Sequence, residues 1–268
     1  MSVTRARVGP MAGLRSAPVL RLGFRGSATV LSLVIALTGC AGPEGEADES
    51  VTVLAASSLT EAFTTLAAAF EQANPRVDIS LSFGGSAGLA EQITAGAPAD
   101  VLAAADDVTM GTVIDAGLAA RPVHFARNTL QIVTPRGNPA GVSALVDFAD
   151  ESLLIALCEP RVPCGAAADA VFATAGITPT PDTLEQDVRA VLTKVELGEV
   201  DAGLVYRTDV LAAGDAVTGV DFAGAEAAAN YYPIVALTGA GDTPAAFVAF
   251  VRSAAGQRIL REAGFGAP

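Results

Sequence analysis

The chain has no tryptophan and a single histidine, His124, in 268 residues. Chemistry that needs an imidazole must route through His124, so most hydrolase, metallo-enzyme and proton-shuttle readings fail for want of partners. Cysteine is scarce, with only Cys40, Cys158 and Cys164, and aromatic residues make up 5%. Basic residues are also few. Lys+Arg total 16 against 29 Asp+Glu, a formal charge of −13, and residues 1–40 hold five of the arginines and no acid. Beyond residue 40, 11 basic residues therefore face 29 acidic ones, a charge of −18. A body that acidic repels phosphate backbones, which excludes nucleic-acid partners. Apolar material is plentiful, at 51% hydrophobic residues, 17% charged residues and a mean hydropathy of +0.47. That excludes a disordered chain, and the length allows one large domain or two of about 130 residues each.

The amino terminus reads as an export signal. Arg5, Arg7, Arg15, Arg21 and Arg25 precede an apolar stretch from Ala28 to Leu37, followed by Thr38-Gly39-Cys40. A basic region, a short apolar run and a small-residue cleavage site describe a secretory signal. The run is well short of the roughly 20 residues that span a bilayer. Leu37-Thr38-Gly39-Cys40 resembles a bacterial lipoprotein box, which implies lipidation of Cys40 after removal of 1–39. Residues 40–50, polar, acidic and containing Gly and Pro, read as a tether reaching at most roughly 33 Å. The expected location is the extracytoplasmic face of the cell membrane, lipid-anchored.

Cys158 and Cys164 lie six positions apart. In an exported chain a disulfide is the default; no further His or Cys is near enough for a metal site, and a redox pair usually has two residues between its thiols. Closing so short a loop stabilises by roughly 2 kcal/mol in the chain-entropy account.

No repeat of 20 to 50 residues is visible; what recurs is a strand, a turn of small residues, then a helix. Val51–Ala56 reads as a buried strand, and Leu59, Ala62, Phe63, Leu66, Ala69 and Phe70 follow at helical spacing until Pro75. Val77–Phe83 is the next strand, then a short helix Leu89–Thr94, strand Val101–Ala104 and helix Val108–Ala116. Leu130–Val133, Leu153–Leu157, Ala202–Tyr206 and Tyr232–Leu237 read as strands. Ala166–Ala175 and Asp187–Leu197 read as helices, and Thr243-Pro244 opens the last helices. Alternating strands and helices mean α/β with largely parallel sheets, and ligands in such sheets sit where strands end and helices begin.

Several such junctions carry polar donors. Ser58-Leu59-Thr60-Glu61 has the form of a capping box, and the same helix start offers free N–H groups and a hydroxyl to an anion. Gly84-Gly85-Ser86-Ala87-Gly88 matches the G-x-S-x-G nucleophile elbow. A serine hydrolase using Ser86 would need His124 as base, 38 residues on with its acid in between, which leaves no room for the later strands that supply those partners. A glycine-rich turn that lets N–H groups approach a small anion fits better. The Cys158–Cys164 loop precedes a third helix, Asp187-Val188 opens a fourth, and Tyr206 ends a strand, either as a half-buried tyrosine or with its hydroxyl in the same pocket. Together these segments point to a pocket of neutral donors.

Six segments now carry a family likeness: Ala56-Ser57-Ser58-Leu59-Thr60, Ser82-Phe83-Gly84-Gly85-Ser86, Gly96-Ala97-Pro98-Ala99-Asp100, Glu159-Pro160-Arg161-Val162-Pro163-Cys164-Gly165, Asp187-Val188-Arg189 and Gly203-Leu204-Val205-Tyr206. In that order they resemble the molybdate-binding proteins of bacterial ABC importers, from about Val51 to Phe265. The resemblance implies a type II periplasmic-binding-protein fold, two α/β lobes with mostly parallel sheets flanked by helices, lobe 1 over 51–127 plus 232–268 and lobe 2 over 128–231. It implies no enzyme, no cofactor and no cation site; molybdenum is bound only as its oxyanion, with tungstate as a further ligand. Ser58 and Ser86 resemble the family's serine ligands, Cys164 and Val188 its backbone N–H donors, and Tyr206 its tyrosine hydroxyl. Ser57 replaces the usual alanine and is a rival to Ser58, although strand alternation would turn its side chain to the other face. The implied partners are an oxyanion and the membrane subunits of an ABC permease, with the chain a monomer. A sulfate-type or other oxyanion binder, a serine hydrolase, and a signalling or adhesion lipoprotein without ligand are the rival readings.

Overall fold

A computed structural model describes residues 49–268; the export signal and Cys40 lie outside the described residues. Strand β1 (Glu49–Ala56) passes through a 3-10 turn at Ser57–Leu59 into helix α1 (Thr60–Ala73). Strand β2 (Val77–Gly84), helix α2 (Ser86–Thr94), strand β3 (Val101–Ala103), helix α3 (Asp107–Asp115) and strand β4 (Val123–Asn128) follow. The chain then crosses to a second sheet with strand β5 (Leu130–Pro135), strand β6 (Ile155–Cys158), helix α4 (Pro163–Ala175), strand β7 (Thr183–Glu185) and helix α5 (Val188–Glu196). Strand β8 (Ala202–Tyr206), helix α6 (Arg207–Ala213) and strand β9 (Val217–Val220) complete that half. Strand β10 (Asn230–Ala236) returns to the first sheet, and helices α7 (Asp242–Arg252) and α8 (Ala254–Glu262) close the chain.

The two five-stranded sheets have the orders β2-β1-β3-β10-β4 and β7-β6-β8-β5-β9. Strands β3, β6 and β8 are buried throughout and β1 is buried over its last four residues, because helices cover both faces. The period of two sorts the residues. Val53 and Ala55 face Phe63, Leu66 and Phe70 of α1, whereas Leu54 faces Leu89 of α2 and Met110 of α3. Edge-on ring pairs knit the first core, with Phe63–Phe125 at 5.7 Å and Phe70–Phe247 at 5.4 Å between centroids. The second sheet has its own core, built around Ile132, Phe148, Phe172, Val191 and Leu204.

The α/β architecture of two helix-flanked sheets is as expected, but the sheets are mixed. In each, two pairings are parallel (β1 with β2 and β3; β6 with β7 and β8) and two antiparallel (β10 with β3 and β4; β5 with β8 and β9). The antiparallel partners include the strands that carry the chain between sheets, β4, β5 and β10, and these have no helix crossover to make them parallel. Strand β4 was not expected, nor were the short β7 and β9 or helix α6. Two helices start earlier than their apolar periodicity indicates. Helix α2 begins at Ser86 and α4 at Pro163, because first-turn residues can be small and need not bury a large side chain.

Candidate functional site

A cavity of about 20 Å³ lies between the sheets. It is lined by Ala56, Ser57, Ser58, Gly84, Gly85, Ser86 and Ala105 from the first half, and by Val162, Pro163, Cys164, Gln186, Asp187, Val188 and Tyr206 from the second. All five residues expected to hold a ligand therefore border one space, although they span positions 58 to 206.

The helix starts at this space leave N–H groups unsatisfied by side chains. The cap residues are Ala56 before the 3-10 turn, Gly85 before α2 and Val162 before α4, and none makes a side-chain cap bond. Helices α3 and α8, by contrast, are capped by Asp106 and Ser253. At α4, Pro163 has no N–H, so Cys164 carries the first donor. At α5, the Asp187 carboxylate accepts from Arg189 N at 2.8 Å and Ala190 N at 3.1 Å, which leaves the Val188 N–H outside the cap. Uncapped helix starts concentrate positive potential where they converge.

Hydroxyls complete the lining. Ser86 Oγ accepts from Ala105 N at 3.0 Å, so its own proton is free to be donated. Ser58 Oγ lies 3.0 Å from Tyr232 Oη; with Tyr232 donating, Ser58 too has a proton to give. Tyr206 is 1% exposed and its hydroxyl has no hydrogen-bond partner in the protein. Burial pushes that hydroxyl well above its ordinary pKa, reinforced by Tyr232 and Asp209, so it stays a neutral donor. The lining contains no Lys, Arg or His, and Oδ1 of its one carboxylate, Asp187, accepts both α5 cap bonds. Chemically this is a small enclosure of neutral donors, suited to a proton-free anion.

Two local expectations are corrected. Ser58 and Glu61 form no capping box, since Ser58 turns to Tyr232 and the Glu61 carboxylate bonds Arg189. Ser57 is not remote from the site: β1 ends at Ala56, the 3-10 turn begins at Ser57, so strand alternation does not extend to it, and both serines border the cavity. The elbow-like Ser86 has no base, because His124 is 44% exposed, bonds Asp107 at 2.7 Å and is absent from the lining. Among the described residues no three His, Cys, Asp or Glu side chains gather as a metal site. Cys158 and Cys164 are joined, with 2.07 Å between their sulfurs, tying the end of β6 to the first turn of α4. A Cβ on Gly165 would fall 1.9 Å from the Glu159 carbonyl oxygen, so this loop closes only on glycine.

Sequence reasoning missed Tyr232, Ala105 and Asp209. Asp209 is fully buried in α6, accepts from Tyr206 N at 3.0 Å and sits 3.2 Å from Arg189 Nε. Burial pushes its carboxyl up to about 7, opposed by Arg189 and by the Tyr206 N–H. Partners 174 positions apart, as Ser58 and Tyr232 are, leave no local signal.

Residues 51–266 match the family model of the bacterial extracellular solute-binding proteins. The chain is 42% identical over 231 residues to the molybdate-binding protein ModA of Mycobacterium tuberculosis H37Rv, covering 85% of this chain and 88% of that one. Its fold matches the periplasmic molybdate-binding protein of Azotobacter vinelandii with a TM-score of 0.69 at 20% identity, over 81% of this chain and 99% of that one. The sulfate-binding protein SubI of M. tuberculosis H37Rv matches with a TM-score of 0.68 at 17% identity, over 82% and 87%; at such identities these structures speak for the fold alone. The chain belongs to the bacterial extracellular solute-binding proteins.

Proposed function

We propose that this protein captures molybdate, and also tungstate, outside the cytoplasm and delivers it to the membrane subunits of an ABC permease. The observation that carries the reading is the cavity lining: hydroxyls and uncapped helix starts from both lobes, with no cationic side chain. Ser58, Ser86 and Tyr206 donate hydroxyl protons, and Cys164 and Val188 donate backbone N–H groups. A dianion held this way gains several charge-assisted hydrogen bonds without a countercharge. The groups assigned to the ligand are all used as donors, so they suit a fully deprotonated oxyanion better than hydrogenphosphate, whose proton needs an acceptor. Sulfate is also proton-free, so its exclusion rests on size. The 42% identity to a molybdate-binding protein supports the larger anion.

On this reading the protein is a monomer that acts by binding, without catalysis or cofactor. Cys40 would carry the lipid anchor on the extracytoplasmic face. Cys40→Ala should move the protein from the detergent phase to the medium, and membrane retention of that variant would remove the anchor from the account. Calorimetry tests the ligand. Molybdate and tungstate should bind one per chain, far more tightly than sulfate or phosphate. Tighter sulfate would make this a sulfate carrier, and no response to any of the four anions would defeat the reading.

A further inference from the structure

We propose that two ion pairs across the cleft, Arg189–Glu61 and Arg161–Glu91, latch the lobes together over the anion and set its rate of release. The inference rests on the reading of the cavity as an oxyanion site that closes between lobes, but it concerns residues that do not line that cavity.

The pairs are arranged alike. Arg189 directly follows Val188 at the start of α5, and its guanidinium bonds Glu61, one residue into α1 and three beyond Ser58. Arg161 lies three residues before Cys164, and its NH1 is 3.5 Å from Glu91 of α2, the helix that begins at Ser86. Each arginine thus belongs to a second-lobe segment that supplies a backbone donor. Each glutamate belongs to a first-lobe helix that begins at or beside a serine. Closing either pair therefore draws together two segments that face the anion.

Both arginines are braced from within their own lobe. Arg189 Nε is 3.2 Å from the buried Asp209, which also holds the Tyr206 N–H, and Arg161 Nε is 2.5 Å from Glu159. A guanidinium held by one carboxylate loses less freedom on meeting a second. The lobes already meet between backbones here, since a Cβ on Gly85 would lie 2.4 Å from the Gln186 carbonyl oxygen. Arg189 is the more sheltered, 27% exposed against 53% for Arg161, so its pair is the stronger.

Salt separates the latch from the general field. The acidic body repels an arriving anion, so added salt speeds binding by screening that repulsion. Salt also weakens partly exposed ion pairs, so a latch makes release faster in salt. A cavity without one has no such dependence.

The test is stopped-flow kinetics with molybdate, following tyrosine fluorescence, on the wild type and on the double variants Glu61→Gln/Glu91→Gln and Glu61→Lys/Glu91→Lys. In low salt the Gln variant should release the anion about 3- to 10-fold faster than wild type with little change in arrival, and the Lys variant faster still. In about 1 M salt, where charges are screened within about 3 Å, wild-type release should approach that of the Gln variant. Equal release by wild type and Gln variant in low salt would overturn the latch. If wild type binds no oxyanion, the functional reading fails instead, and the latch is judged on ligand-free protein by small-angle scattering. There the Lys variant should have the larger radius of gyration in low salt, and equal radii would overturn it.

Discussion

Replacing Tyr206 by phenylalanine isolates anion binding from folding. Its ring packs edge-on to Tyr232 at 6.0 Å between centroids and stays packed in the variant, while the hydroxyl it loses has no hydrogen-bond partner in the protein. Removing an unpartnered buried hydroxyl breaks no bond in the free protein and relieves part of a desolvation cost. A change within about 1 kcal/mol moves the melting temperature of a domain this size by roughly 2–4 °C, and the expected direction is upward or nil. With the anion bound, the same deletion leaves one charged oxygen unpaired at a cost of roughly 1.5–3 kcal/mol, about a 10- to 100-fold loss of affinity. Ser86→Ala behaves differently, because it also strips Ala105 N–H of its acceptor; that variant should lose stability and affinity together. Thermal unfolding without ligand and calorimetry with molybdate, run on both variants, read the two effects separately. Wild-type affinity in Tyr206→Phe, or a clear loss of stability without anion, would refute the reasoning.

Three further predictions follow from the same contacts. Gly85 has φ −62° and ψ 129°, which alanine adopts freely, yet its Cβ would strike the Gln186 carbonyl, so Gly85→Ala should melt like wild type and bind molybdate at least several-fold more weakly; unchanged affinity would show that the lobes give way there. Asp209 is faced by Arg189, Glu61, Asp187 and the two buried tyrosines, and its carboxyl is raised from 3.8 to about 7, so the folded state holds a proton that the unfolded state has shed. Its contribution is complete below about pH 4 and is lost as pH rises towards 7; urea unfolding from pH 4 to 8 should show a shallower decline in Asp209→Asn, and parallel profiles would contradict this. Alkylation and intact-mass analysis without reductant should find Cys158 and Cys164 unmodified, with reduction lowering molybdate affinity through the α4 start; two alkylated thiols would disprove the bond.

The parts of the site visible in the sequence are those set by local chemistry. A strand ending in small residues before a helix marks a place where N–H groups emerge, and Ser58, Ser86, Cys164 and Val188 all sit at such junctions. Asp187 announced its role as a cap by residue type, and its carboxylate accepts both N–H bonds that role requires. The first turns of α2 and α4 were hidden, because Ser86-Ala87-Gly88 and Pro163-Cys164-Gly165 contain no large apolar residue to register the helical period. The mixed pairing of the sheets was equally hidden, since β4 and β10 meet about 100 residues apart and pair in a direction no local pattern encodes. Ser57 shows the limit of periodicity: alternation sent it to the far face, and one 3-10 turn brought it back to the cavity. Tyr232, Glu61 and Arg189 take their roles only from the approach of distant segments.

The central claim, one oxyanion held by neutral donors from both lobes, is tested most directly by diffraction from crystals grown with tungstate, using the metal's anomalous signal. The account predicts a single peak per chain in the cavity between β1, α2, α4, α5 and β8. The oxygens around it should lie within hydrogen-bond distance of the Ser58, Ser86 and Tyr206 hydroxyls and the Cys164 and Val188 N–H groups. A peak held instead by arginine side chains on the surface, or a cavity without metal in crystals saturated with tungstate, would contradict it.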